Sequence, residues 1–203
     1  MQLDHRPFRL GVFGGSGTGK TTYALRFLAN TEFRCRFIFD ADDGELATRL
    51  GLKAARTPDE LDAAVASGWV CFDPWDMFTD PEIALRFFCA WVFATCEHLP
   101  GRKVFVVDEL QEYTTPHKVP EELARLVRRG RRRGLDSVFI SHSPGELHNA
   151  VRSQLTEVVC HLMVDDTALE WPEKFGIDPD EIRALPPFAF ICRTKWGAME
   201  RGG

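Results

Sequence analysis

The chain has 203 residues, 44% of them hydrophobic and 27% charged, with a formal net charge of −5. That is ordinary globular composition, enough for one domain over residues 1–203 with a substantial core. The net acidic balance does not advertise nucleic-acid binding, although arginine is very unevenly placed. Six cysteines without a C-x-x-C pair point to reduced thiols rather than disulfides or a metal cage. The N-terminus lacks a leader-like apolar run, so the protein is not expected to be secreted. The most apolar stretch, residues 83–96, is interrupted by Arg86 and is too short to cross a bilayer.

Along the chain, short apolar runs alternate with helical stretches. Strands are expected at Arg9–Phe13, Arg36–Phe39, Trp69–Phe72, Lys103–Val107, Asp136–Ile140, Glu157–Met163 and Phe188–Arg193. Helices are expected at Lys20–Asn30, Pro58–Ala66, Pro81–His98, Pro120–Arg133, Pro144–Ser153 and Pro179–Ala184. Several open on proline, which suits a first helical turn. Residues 200–203 read as a frayed tail. Runs such as Val104-Phe105-Val106-Val107 are apolar on both faces, as in a parallel sheet covered on both sides. The alternation predicts an α/β fold with a central, mostly parallel sheet flanked by helices.

Between the first strand and the first helix lies Gly14-Gly15-Ser16-Gly17-Thr18-Gly19-Lys20-Thr21, a complete G-x-x-x-x-G-K-[ST] phosphate loop, followed by Thr22. The glycines let successive backbone N–H groups converge on an anion, and the helix N-terminus adds its dipole. Lys20 brings a mobile positive charge to the outer phosphates, and the Thr21 hydroxyl is suited to Mg²⁺. The motif predicts a nucleoside triphosphate site.

Val104 to Val107 runs into Asp108-Glu109. An acid at the end of such a strand is placed to hold Mg²⁺ behind the phosphates, which assigns the metal to Thr21 and Asp108. The acid after it, Glu109, is placed to polarise a water as general base. A base aimed at water favours hydrolysis, so the expected activity is that of an ATPase.

Two further segments carry a resemblance. Gly130-Arg131-Arg132-Arg133-Gly134-Leu135 closes a helix, and Ser141-His142-Ser143-Pro144 closes the following strand. With the phosphate loop and the Asp-Glu strand, they resemble the FtsK–HerA superfamily of DNA-pumping ATPases over about residues 8–152. In particular they resemble the genome-packaging ATPases of tailless icosahedral viruses with an internal membrane. The resemblance implies a homo-oligomeric, hexameric ring acting on double-stranded DNA, with ATP and Mg²⁺, a capsid vertex protein as a further partner, and a place in the host cytoplasm or the virion. Zot-type assembly ATPases of filamentous phages share the core but usually carry a membrane segment, absent here. Where the family has Gln this chain has His142, read either as a γ-phosphate sensor or as a plain polar strand end. Arg131 occupies the position of the arginine that reaches a neighbouring subunit's nucleotide.

Other readings stay open. Arg125, Arg128, Arg129, Arg131, Arg132 and Arg133 also read as a solvated face, or as contacts to a DNA backbone. Arg152 is a second finger candidate. Asp40 and Asp42 lie near the phosphates or cap a helix. Trp75 stacks on a base or packs under a loop. A nucleoside or nucleotide kinase, or a non-hydrolysing nucleotide-binding adaptor, remains as an alternative.

Overall fold

A computed structural model describes residues 7–203. Residues 1–6, on which the expectation of no leader partly rests, lie outside them. The elements in order are β1 (Arg9–Phe13), α1 (Lys20–Asn30), β2 (Cys35–Phe39), α2 (Glu45–Arg49), α3 (Pro58–Ala64), β3 (Trp69–Phe72), α4 (Pro81–His98) and β4 (Lys103–Val107). There follow α5 (Glu121–Arg129), β5 (Leu135–Ser141), α6 (Asn149–Arg152), β6 (Glu157–Cys160), α7 (Asp166–Lys174), α8 (Pro179–Arg183), β7 (Phe190–Thr194) and β8 (Met199–Gly202). All eight strands form one sheet in the order β3-β2-β4-β5-β1-β6-β7-β8. The first six strands are parallel, while β7 and β8 are antiparallel additions.

The parallel strands are apolar on both faces, but the two faces differ in size. One presents Phe13, Phe37, Phe39, Phe72, Phe105 and Phe139 to α3 to α8. The other presents Leu10, Val12, Ile38, Val104, Val106, Val138 and Ile140 to α1 and α2. Side chains alternate across a strand, so this sorting is a period-2 pattern of bulk rather than of polarity. Small aliphatics let α1, and with it the phosphate loop, pack close to the sheet. The phenylalanines fill the wider gap under α4, where Phe88 stacks on Phe72 at 5.1 Å and on Trp91 at 5.9 Å.

Local signals explain most boundaries. Asp80 caps α4 through the Glu82 and Ile83 amides, Thr57 caps α3 through the Glu60 amide, and proline follows each at the first helical turn. Several expectations need correction, among them the strand expected from Phe188, which begins only at Phe190, and the helix expected to reach Ala66, which ends at Ala64. The stretch 144–153 is not one helix: Pro144–Glu146 is a 3₁₀ turn, Leu147 is extended, and α6 begins only after His148 caps it through the Ala150 amide. The helix expected to reach Arg133 tightens to 3₁₀ geometry from Gly130. The strand expected to reach Met163 leaves the ladder after Cys160. Residues 199–202 are strand β8, paired with β7 and tied by Arg201 to Glu181 at 2.7 Å. Two helices escape the sequence reading, α2 and α7, the latter carrying Pro172 in its interior.

Candidate functional site

The six parallel strands end on one edge of the sheet, and each is followed by glycine or by a polar side chain. These are Gly14, Asp40, Asp73, Asp108, His142 and His161. Ligands of open α/β sheets bind at such carboxyl edges. The first of the six begins the loop from β1 to α1.

Backbone chemistry shapes that loop. Gly19, the residue before α1, has φ of +108°, a conformation disfavoured for side-chain-bearing residues. At Gly14 the constraint is space, because a Cβ there would come within 2.7 Å of His161 Cβ and of Thr18 Oγ1. The loop is pinned to the segment just after β6, where the Gly15 amide donates to the Leu162 carbonyl at 2.9 Å. It also folds on itself, with the Thr18 hydroxyl donating to the Gly15 carbonyl at 2.8 Å. Ser16 and Gly17 are exposed at its tip, and Thr22 continues the first turn of α1.

Lys20 is buried, and its ammonium lies 3.1 Å from the Gly15 carbonyl and 3.4 Å from His142 Nδ1. The other ring nitrogen of His142, Nε2, is 3.4 Å from Glu109 Oε2. An ammonium only donates, so a hydrogen bond here has Nδ1 as acceptor and an Nε2–H directed at the carboxylate. His142 thus stands between the loop lysine and Glu109, within reach of both. Gln111 Nε2 also donates to Glu109 Oε2, at 2.5 Å, which leaves Oε1 unengaged by these two donors.

Glu109 sits in the left-handed region at φ +46°, and its amide donates to Asp108 Oδ1 at 2.9 Å. Such a backbone costs about 1–3 kcal/mol in a non-glycine residue and recurs at functional sites. Thr21 Oγ1 donates to Asp108 Oδ2 at 2.8 Å. Burial raises the Asp108 pKa, while the Thr21 hydroxyl opposes the shift. A hydroxyl and a carboxylate side by side offer the hard oxygen donors that Mg²⁺ takes, so the residues fit that ion. Among the described residues no group of three or more His, Cys, Asp or Glu side chains is arranged to hold a metal.

Two clefts flank this centre. One of about 210 Å³ opens beside Thr21 and Asp108 and is lined by Asp42, Glu45, Arg49 and Tyr113. The other, of about 540 Å³, runs past Gly15 and His142 to Arg152 and Asp165.

The remaining candidates fall in different places. Arg131 is exposed in the 3₁₀ turn before β5, at the opposite end of that strand from His142. Six residue steps of strand separate the two ends, roughly 20 Å. Arg131 lies instead near Arg9, at the start of β1, whose pKa it helps to lower after burial. Within one chain, Arg131 and the phosphate loop are not brought together. The arginine run itself divides: Arg125 and Arg133 cover the Phe93 ring at 4.7 and 3.7 Å, and Arg133 also binds Glu97 at 2.8 Å. Arg129, Arg131 and Arg132 face outward.

Asp40 is buried and accepts from the Leu46 and Ala47 amides at 3.2 and 2.8 Å, so it serves the open N-terminus of α2. Burial raises its pKa to about 6. Trp75 donates its indole N–H to the Ala41 carbonyl at 2.9 Å, fastening one loop to the next. His161 is fully buried between Tyr23 and Phe190, each ring 6.0 Å away, and burial lowers its pKa to about 4. It presses on Gly14 from beneath, a packing role that no spacing of histidines and cysteines could signal.

A phosphate loop on a mostly parallel sheet, with an Asp-Glu strand two positions away, defines the fold of a P-loop NTPase. Solved structures share that fold. The genome packaging NTPase B204 from Sulfolobus turreted icosahedral virus 2 superposes with a TM-score of 0.75 at 13% identity, covering 97% of this chain and 96% of that one. The N-terminal domain of zonular occludens toxin from Neisseria meningitidis follows at a TM-score of 0.53 and 13% identity, over 98% and 95%. The cytoplasmic domain of the type VII secretion ATPase EccC from Thermomonospora curvata gives 0.65 at 15% identity, over 96% of this chain and 25% of that one. No family model matches the sequence, and no curated protein does. No helix among the described residues is long and apolar enough to cross a membrane.

Proposed function

We propose that this chain is an ATP-hydrolysing motor subunit that packages double-stranded DNA as a homo-oligomeric ring. The observation that carries the hydrolytic reading is the continuous contact from Lys20 through His142 to Glu109, beside the Thr21–Asp108 pair. The packaging reading is supported by near-complete mutual coverage with a small viral genome packaging NTPase.

On this reading the loop amides and Lys20 hold the β- and γ-phosphates. Mg²⁺ held by Thr21 and Asp108 would neutralise charge on those phosphates. Glu109 accepts a proton from the attacking water through its unengaged oxygen as that water bonds to the γ-phosphorus, and the bond to the β-bridging oxygen breaks. His142 fixes the other carboxylate oxygen and registers the γ-phosphate through the Lys20 ammonium it already touches. Arg131, one strand length from its own loop, acts on the nucleotide of a neighbouring subunit. The ring, the DNA and a capsid vertex partner rest on family resemblance, with the outward Arg129, Arg131 and Arg132 as modest support.

The test is steady-state phosphate release against protein concentration, with and without double-stranded DNA. A specific activity that rises with concentration and again with DNA supports an assembled motor. Phosphate transfer that starts only when a nucleoside is added, and ignores DNA, would replace the motor with a kinase.

A further inference from the structure

The groups that meet a terminal phosphate all lie to one side of the loop. Lys20 reaches toward His142 and Glu109, which end β5 and β4, whereas β6 and β7 lie on the other side of β1. A nucleotide whose γ-phosphate sits at Glu109 and whose remaining phosphates follow the loop toward the start of α1 must project its base over β6 and β7. This step rests on the nucleotide-binding reading above.

Phe188 stands at that place. Its amide donates to the Thr18 carbonyl at 3.2 Å, and its ring Cδ1 lies 3.0 Å from where a Cβ on Gly19 would be. The residue is 60% exposed, the only phenylalanine among the exposed large apolar residues described. Its φ is +67°, an outlier for a bulky aromatic. Pro186 and Pro187, also exposed, precede it and stiffen the approach. The described residues leave Trp75 and Trp196 exposed as well, but only at Phe188 does an exposed ring combine with a left-handed backbone and lie against the phosphate loop. Strained backbone next to a ligand cradle is a mark of preorganisation.

We propose that Phe188 is the platform on which the nucleobase stacks. Every base has a π-face, so the platform serves a nucleoside triphosphate as a class and does not choose between adenine and guanine. It also separates a nucleotide from a bare polyphosphate, which the loop alone would hold.

The experiment compares equilibrium binding of ATP, GTP and inorganic tripolyphosphate to the wild type, Phe188→Gly, Phe188→Trp and Lys20→Ala. Glycine accepts the left-handed backbone, so Phe188→Gly removes the ring while keeping the amide tether to Thr18. The expected result is a loss of about tenfold or more for ATP and GTP alike in Phe188→Gly. Tripolyphosphate affinity stays unchanged, and Phe188→Trp binds both nucleotides as the wild type does. Equal weakening of tripolyphosphate and ATP would overturn the platform in favour of a tether for the loop. So would nucleotide binding that depends on Lys20 but ignores Phe188. Wild-type protein that binds none of the three ligands would overturn the nucleotide site itself, and the platform with it.

Discussion

His142 and Glu109, 33 residues apart in sequence, face each other across adjacent strand ends with Nε2 3.4 Å from Oε2. The same imidazole touches Lys20 with its other nitrogen. This places a single ring between the group that would hold the γ-phosphate and the group that would activate water. A glutamine there could offer both an oxygen and an N–H, which explains how one residue type can replace the other.

Replacing His142 by Gln should therefore keep kcat within about threefold, whereas His142→Ala should lower it by about tenfold to a hundredfold, with little change in ATP affinity. Steady-state kinetics with a parallel binding assay checks this. An alanine variant as active as the wild type would make His142 a plain strand-end polar residue.

Glu109 combines a chemical role with a strained backbone. Glu109→Gln should reduce turnover by about a hundredfold or more while ATP still binds. Glu109→Asn should be equally inactive yet more stable by about 1 kcal/mol, because asparagine tolerates the left-handed conformation better. Thermal melting of the three proteins tests the second claim; a lower Tm for the asparagine variant would remove the strain argument.

Arg131 cannot serve the loop of its own chain across the length of β5. Mixing Lys20→Ala with Arg131→Ala protein should thus recover activity that neither has alone, since one supplies the arginine and the other an intact loop. A mixture that stays inactive, with assembly intact by light scattering, counts against an arginine shared between subunits.

Asp40, which lines the same cleft as Thr21 and Asp108, gives a pH signature in stability rather than turnover. Its pKa is raised to about 6 when folded, above the ordinary carboxylate value, so the folded state binds its proton more tightly than the unfolded state. The stabilisation is fully present below about pH 4 and is lost as pH rises through about 6. In the wild type this group alone lowers stability across that window by an amount on the order of 3 kcal/mol. Asp40→Ala should lack that slope and should loosen α2; denaturant melts at several pH values would show an unchanged slope if Asp40 is not the source.

Much of this is legible in the sequence itself. The strands Arg9–Phe13, Trp69–Phe72 and Lys103–Val107 and the helices Lys20–Asn30 and Pro81–His98 appear with the expected limits, because each is a strong apolar run or period bounded by glycine, proline or a cap. The phosphate loop and the Asp-Glu pair are motifs whose chemistry requires adjacency in sequence, and they lie at the carboxyl ends of β1 and β4. What was illegible depends on partners far along the chain. β8, Met-Glu-Arg-Gly, has no apolar alternation and is held by its pairing with β7, so no periodicity marks it. α7 is concealed by Pro172, which the last helical turn tolerates while burying the ring. The link between His142 and Lys20 spans 122 residues, and the left-handed turn at Phe188 has no glycine or asparagine to announce it.

The two borders of the sheet have a bearing on assembly. At one, residue Ala55 bridges to Phe72 and exchanges backbone hydrogen bonds with Cys71 and Asp73, so part of β3 is already occupied. At the other, β8 is a four-residue strand bearing Glu200 and Arg201, short and charged enough to discourage a foreign strand. Neighbouring copies consequently have little backbone to share, and a ring of these subunits would be joined by side chains. Such contacts can slide or part as a ligand comes and goes, a freedom that a continuous hydrogen-bonded ladder would deny.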